Sequence, residues 1–271
     1  MATRDAKELA YLYDLFVVPA WREVFDDMVD EAVATPEPGR VLDLACGTGG
    51  YAVALAGKLG PDAEVVGVDD SPERLEIARG KAEMQRVEKI SFVLGTLEAS
   101  GQPDADFDLV IADASMTRPE HLRAVFAELA RVARPGATVA IKLTTRGSFD
   151  EFFSIFWEAL HEVGLDHLTP QLEALITARP TVTEAEKLAK QAGLRHIHSV
   201  TRKEEFDFAD ARSFFNSPLI ETFFLDDWLA LLPDAEAESR VRQHLARIID
   251  GERHDMDFDV SIKATVIVAQ R

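Results

Sequence analysis

Five short runs rich in Val, Ile and Leu, namely RVLDLA, EVVGVD, ISFVLG, FDLVIA and ATVAIKL, fall between residues 40 and 143 with helical patterns between them. Short apolar runs with β-branched side chains suit strands buried on both faces, and interleaved helices suit the crossovers that parallel strands need. The alternation predicts an α/β fold built on a Rossmann-like, doubly wound, mainly parallel sheet. The linking segments carry helix signals of their own. One spans about Tyr51 to Leu59 and stops at Gly60-Pro61; a second starts at Pro72 behind Ser71, a favourable N-cap; a third carries Leu122, Val125, Phe126, Leu129 and Val132 on one face before Pro135-Gly136. Upstream of the TPEPGR break, Trp21, Val24, Phe25, Met28 and Ala32 recur at helical spacing and predict an amphipathic helix from Pro19.

Beyond Leu143 the rhythm changes. Helical segments are expected over residues 149–163, 171–178 and 183–192, then a strand near 196–201 and a final strand near 260–269, with some fifty mostly helical residues between the two strands. The expected organisation is an N-terminal helical segment (1–35), a Rossmann-like core (36–145), helices after the fifth strand (146–194), and the last strands of the sheet (195–271) interrupted by a helical insertion (209–256).

Composition narrows the partners. The formal charge is −19, from 48 acids against 29 bases, so a phosphate backbone is repelled rather than gathered and nucleic acid is a poor substrate. With Cys46 as the single cysteine no disulfide can close within the chain, and no Cys/His cluster suggests a metal. The charged start MATRDAKELAYLYDLF lacks the apolar core of a signal peptide, and no stretch is long enough to span a bilayer. A soluble, cytoplasmic protein is expected.

The chemistry is concentrated where RVLDLA runs into Cys46-Gly47-Thr48-Gly49-Gly50 and a helix follows at once. Glycines let a backbone approach a ligand, and a helix N-terminus offers free N–H groups, so a nucleotide-like cofactor is implied. Gly47, Gly49 and Ala52 also satisfy the GxGxxA spacing of dinucleotide sites. Asp43 favours an amino-acid-bearing cofactor instead, because four residues before the first glycine a carboxylate can pair with an ammonium group but would repel a pyrophosphate. Asp69 closes the second strand 22 residues after Gly47, where a carboxylate can accept from both ribose hydroxyls. The alternative for Asp69, Asp70 and Ser71 is a helix-capping turn.

VLDLACGTGGYAVALA, VVGVDDSPERLEIARGKA, FDLVIADASM and ELARVARPGATVAIKL, in that order over residues 36–145, resemble the motifs of class I S-adenosylmethionine-dependent methyltransferases, especially the ubiquinone/menaquinone-biosynthesis (type 11) branch. The resemblance implies S-adenosyl-L-methionine as cofactor. It implies that Asp43 organises the methionine end, that Ala45, Gly47 and Gly49 let the loop wrap the cofactor with Thr48 beside the carboxylate, and that Asp69 holds the ribose. Asp70 and Leu75 would flank the adenine, Leu97 would offer it a backbone N–H, and Ala112 would line the methionine chain. Thr96 stands where the family often has an aspartate that accepts from the adenine amino group. The segment with Tyr11 and Tyr13 would fold over the cofactor as a lid, with plain packing on the sheet as the alternative.

The same comparison removes acceptors. No Asn/Asp-Pro-Pro-Tyr element follows the fourth strand, Cys46 reads as a packed small residue, and Asp113 has no matching Asp-Asn pair after the fifth strand, so no metal is expected. Methyl transfer from a sulfonium needs alignment more than a base. Asp113, His121 and Tyr13 are the nearest catalytic candidates by family geometry, with capping or surface roles as the alternative. Ten of sixteen Phe residues fall between Phe149 and Phe224, which points to a small apolar or aromatic methyl acceptor against Tyr13, Trp21, Phe149, Phe153, Phe215 and Trp228; a satellite core or a homodimer interface is the alternative. The function expected is S-adenosylmethionine-dependent methylation of such a molecule, with a non-catalytic S-adenosylmethionine or S-adenosylhomocysteine sensor and an NAD-dependent oxidoreductase as the rivals.

Overall fold

The structure is a computed structural model that describes residues 5–34, 39–59, 62–251 and 258–271. Three expected features, the break at 35–38, the stop at Gly60-Pro61 and the end of the insertion at 252–257, lie outside the described residues.

The five apolar runs form strands β1 (Arg40–Leu44), β2 (Glu64–Asp69), β3 (Ile90–Leu94), β4 (Phe107–Asp113) and β5 (Ala133–Thr145). They are joined by β6 (Arg195–Phe208) and β7 (Phe258–Gln270) in one sheet of order β3-β2-β1-β4-β5-β7-β6. The β3-β2-β1-β4-β5 pairs are parallel. Against them, Gly136 donates to the Arg271 carbonyl and Arg271 to the Ala137 carbonyl, both at 2.9 Å, so the start of β5 meets the end of β7 and these two run antiparallel. Strand order reverses between β1 and β4, and the crevice outside the carboxyl ends of the strands at such a reversal is where open α/β sheets bind ligands.

Helices α3 (Gly50–Lys58), α4 (Pro72–Gln85) and α5 (Leu122–Val132) make the crossovers. Ser71 caps α4 by accepting from the Arg74 N–H at 3.2 Å, with Pro72 at its first position. The N-terminal helix differs from expectation. It begins at Ala6 rather than Pro19, running as α1 (Ala6–Leu12), a π-helical stretch over Tyr13–Arg22, and α2 (Glu23–Ala32). Pro19 has no N–H and crowds the preceding turn. The helix absorbs it by widening, and Glu23 donates to Val18, five residues back. β6 is also longer than the 196–201 expected. Its extension RKEEFDF reads as polar, but exposed and half-buried residues alternate along it up to the buried Phe208, the pattern of an edge strand with one wet face.

Contacts divide the chain into two compact units. Unit 1 comprises Met1–Leu143, Thr181–Thr201 and Ala264–Arg271, and its aliphatic core includes Leu44, Val68, Val110, Leu129, Val139 and Ile141. It also takes in α8 (Val182–Gln191), whose Thr181 and Glu184 form a reciprocal capping box. Unit 2 comprises Thr144–Pro180 and Arg202–Lys263. It is built from α6 (Asp150–Glu162), α7 (Thr169–Ala178), α9 (Ala211–Phe215), α10 (Pro218–Phe223), α11 (Leu225–Leu229) and α12 (Ala235–Gly251). Along α12 the buried Val241, Leu245 and Ile249 recur every fourth residue, giving one apolar stripe. Among the described residues no helix is long and apolar enough to cross a membrane.

Candidate cofactor site

The loop after β1 turns on three left-handed residues, Ala45 (φ 57°), Gly47 (φ 60°) and Gly49 (φ 72°). At Gly49 a Cβ would sit 2.6 Å from the Ala78 Cβ, so only glycine lets the loop pass so close to α4. At Gly47 it would meet the Tyr13 ring at 2.8 Å and the Arg22 Nη1 at 3.0 Å. The N-terminal helix therefore lies directly on the glycine loop. Strand register sets Asp43 beside Gly67 and Asp113 beside Lys142.

A cluster of buried charge lies beneath this loop. Asp43 is fully buried and neither carboxylate oxygen has a hydrogen-bond partner. Burial pushes its carboxyl up to about 6 even though Lys142 and Arg22 pull the other way. Lys142, fully buried in β5, pairs with Asp26 of α2 and lies 4.7 Å over the Tyr51 ring. Arg22 donates through Nη1 to the Tyr13 hydroxyl (2.9 Å) and the Ala45 carbonyl (2.7 Å) and lies 3.6 Å from Asp113, while its Nη2 is buried without a partner. Asp113 accepts from the Ser115 N–H (3.0 Å) and hydroxyl (2.5 Å), and Trp21 donates through Nε1 to the same hydroxyl at 2.8 Å. Burial alone would raise the Asp113 carboxyl, but Arg22, Lys142 and the Ser115 donors outweigh it and hold it below the usual carboxylate range. Such a carboxylate stays ionised and is a weak base. The Tyr13 hydroxyl is pushed up by burial, against the pull of Arg22.

Buried polar groups in folded proteins are nearly always satisfied. Here an unpartnered acid and an unpartnered guanidinium nitrogen sit in one cluster, a pattern that matches the ammonium and carboxylate of an amino-acid group. Arg22, Lys142 and Asp26 were not singled out from the sequence. A usable signal was present in Lys142, a lone charge inside the apolar run ATVAIKL.

Other expected cofactor residues fall around the same loop. The buried Asp69 carboxylate accepts from the Gly47 N–H (2.8 Å) and the Ser71 N–H (3.0 Å) and lies 3.4 Å from the Arg74 guanidinium. Burial raises its carboxyl against Arg74 and those donors. It thus makes the helix-entry contacts of the capping alternative and also ties the glycine loop to β2, with acceptor capacity left for two hydroxyls. Thr48 donates to Asp14 at 2.5 Å, and Lys81 donates to the same oxygen at 2.5 Å. Leu75 and Ala112 are fully buried, Leu97 packs half-buried on the core, and Asp70 is exposed and paired with Arg74 at 3.1 Å. Thr96 is exposed and uses its hydroxyl to accept from the Ala99 N–H at 3.1 Å. His121 is exposed, with Nδ1 3.0 Å from Glu98, and shares no contact with the buried cluster among the described residues.

The aromatic candidates of unit 2 form a closed group. Trp228 stacks on Phe152 with ring centroids 4.5 Å apart and meets Phe149 at 4.9 Å and Phe153 at 5.6 Å. Phe149, Phe153 and Trp228 are all buried, so in this structure they pack on one another as a satellite core. Phe215 is half-buried against Phe214 (5.2 Å) with Arg242 over its ring.

Residues 41–136, the stretch that carries the glycine loop, Asp43, Asp69 and Asp113, match the family described as a methyltransferase domain. This stretch is thus similar to a methyltransferase domain. Its fold is that of the Rossmann-like class I methyltransferases. The YcgJ protein of Bacillus subtilis superposes with a TM-score of 0.60 at 18% identity, over 92% of this chain and 98% of that one. The chain is similar in sequence to ajmaline N-methyltransferase of Rauvolfia serpentina, 34% identical over 123 residues (42% of this chain and 42% of that protein). It is also similar to demethylmenaquinone methyltransferase of Anoxybacillus flavithermus, 29% identical over 118 residues (44% and 50%). The chain thus spans half or less of the length of these relatives.

Proposed function

We propose that this protein binds S-adenosyl-L-methionine in unit 1 and transfers its methyl group to a small molecule. One observation carries the reading: the wholly buried Asp43 carboxylate with both oxygens unpartnered, in the same cluster as the unpartnered Arg22 Nη2. Neither a pyrophosphate nor a nicotinamide calls for a bare carboxylate there, whereas the zwitterionic methionine end satisfies both groups. Asp43 binds the ammonium, Arg22 the carboxylate, Asp69 the ribose hydroxyls, and the loop from Ala45 to Gly49 follows the chain between them. When bound, the cofactor supplies a methyl group made electrophilic by its sulfonium.

The protein's part in the reaction is to bind, orient and exclude water. Methyl transfer of this kind is a displacement in which alignment supplies much of the rate. Asp113 is held ionised by Arg22 and Ser115 and serves as a fixed negative charge that positions Arg22. Tyr13 and Arg22 pack directly on Gly47, so the N-terminal helix covers the glycine loop and acts as a lid. The acceptor is a small molecule, in keeping with the names of the relatives and the net charge of −19. An apolar or aromatic acceptor rests on the sequence alone, where ten of sixteen Phe residues fall between Phe149 and Phe224, since the buried rings themselves pack on one another.

The test is a discontinuous assay: the full chain is incubated with S-adenosylmethionine and a panel of phenols, quinones, amines and thiols, and S-adenosylhomocysteine and methylated product are quantified by mass spectrometry. Stoichiometric formation of the two is the expected result. Tight binding of the cofactor with no product from any acceptor would favour a sensor instead.

A further inference from the structure

Arg179 stands apart from the other cations that this fold shelters. In a chain with 48 acids, Arg22, Arg74, Lys81 and Lys142 each lie within ion-pair reach of a carboxylate. The part-buried Arg179 guanidinium has neither a carboxylate nor a hydrogen-bond acceptor among the described residues. It lies over the face of Phe149, 4.9 Å from guanidinium carbon to ring centroid. Burial pushes its pKa down to about 10, with no acid among the described residues to oppose it.

The surroundings hold this pair in place. Arg146 donates from its side chain to the carbonyls of Arg179 (3.2 Å) and Thr177 (3.0 Å) and from its N–H to Pro180 (2.9 Å). Phe149 occupies the left-handed region at φ 64°, an uncommon conformation for a bulky residue, and its N–H donates to the Ser261 carbonyl at 2.6 Å. Backbone strain of this kind persists where surrounding contacts fix it and collects at ligand sites. Phe149 is wedged between the guanidinium and the rings of Phe224 and Trp228, each 4.9 Å away. A guanidinium presents five N–H donors in a rigid fork that matches two oxygens of a carboxylate or phosphate.

We infer that Arg179, seated on Phe149, is an anion subsite of unit 2 that takes the carboxylate or phosphate group of an otherwise apolar ligand. The ligand of that subsite is thereby an apolar acid rather than a neutral molecule.

The experiment measures binding of benzoate, phenyl phosphate and the neutral isostere benzamide to the full chain, in the presence of S-adenosylhomocysteine, for the wild type, Arg179→Gln and Arg179→Lys. Binding is followed by ligand-observed NMR, and thermal melting checks that each variant is folded. The wild type is expected to bind at least one of the anions ten times or more tighter than benzamide, and which one it prefers separates a carboxylate from a phosphate ligand. Arg179→Gln should remove the preference, and Arg179→Lys should keep part of the phosphate preference while losing most of the carboxylate one. Equal binding of benzamide by the wild type, or an anion preference that survives in Arg179→Gln, would overturn the inference. Calorimetric titration of the same proteins with S-adenosylmethionine reads the underlying function separately. Cofactor binding intact in all three with no anion preference defeats the subsite alone, whereas no cofactor binding in the wild type defeats the methyltransferase reading.

Discussion

The two units solve burial in opposite ways. Unit 1 buries ionisable groups in an aliphatic core: Asp43, Asp69, Asp113, Arg22 and Lys142 are all buried beside strands rich in Val, Leu and Ile. Unit 2 buries aromatic rings, with Phe149, Phe152, Phe153, Phe156, Phe214 and Trp228 all buried. A buried charge costs several kcal/mol unless it is paired, so the fold gives up stability at Asp43, whose two oxygens have no partner, and at the unpartnered Arg22 Nη2. A ring cluster gains packing and apolar burial and asks for no partners. The contrast suggests that unit 1 keeps its charges for a ligand, while most rings of unit 2 hold the unit together.

Variants can break this contrast, and Lys142→Met is the most severe. It leaves Asp26, Asp43 and Asp113 with one fewer cation, and removing one partner of a buried pair typically costs about 3–5 kcal/mol. Chemical denaturation should read a loss of that size. A loss under about 1 kcal/mol would mean that the cluster is solvated rather than buried. Trp228→Ala should cost a similar or slightly smaller amount, about 3–5 kcal/mol, by opening a cavity among the rings. Calorimetry should then find S-adenosylmethionine affinity unchanged in the molecules that remain folded. A parallel fall in cofactor affinity would blur the distinction between the units.

Asp43→Asn should act in the other direction. Because burial raises the Asp43 carboxyl from its ordinary 3.8 to about 6, the folded state holds a proton that the unfolded state has lost between those two values. Stability therefore falls as pH rises through that window, and above pH 6 the ionised group is a full cost. One pKa unit corresponds to about 1.4 kcal/mol, so the ligand-free Asn variant should be about 3 kcal/mol more stable than the wild type at pH 8. The two should converge below pH 4. Melting curves across that range check it, and a variant less stable than the wild type at pH 8 would contradict it. Asp69→Ala should weaken S-adenosylmethionine binding by about 1–3 kcal/mol through hydroxyls left without an acceptor. Unchanged affinity in calorimetry would return Asp69 to helix capping alone.

The cofactor half of the molecule was legible because its signals are local. Apolar runs give strands, Ser71-Pro72 gives a helix start, and Asp43 and the glycines sit within seven residues of one another. What escaped was long-range or depended on geometry. Arg22 and Asp26 lie within the helix expected from Pro19, but the face they present depends on the π-helical stretch that absorbs Pro19, which sequence periodicity does not show. Lys142 reads as a strand residue, and only its register beside Asp113 reveals the ion cluster. The Phe149 stripe reads the same whether it lines a pocket or fills a core. Arg179 carries no motif at all; its interest lies in the absence of an acid nearby among the described residues, which no spacing encodes.

The account rests on Asp43 meeting a cation, and the pH dependence of S-adenosylmethionine binding tests that most directly. Pairing with an ammonium favours the ionised carboxylate, so the wild-type affinity should weaken roughly tenfold for each pH unit below about 6, with a proton released on binding at pH 5.5. Asp43→Asn should bind at least about a hundredfold more weakly at pH 8 and show no such slope. A wild-type affinity that is flat from pH 8 to pH 5, or an Asn variant that binds as tightly as the wild type, would contradict it.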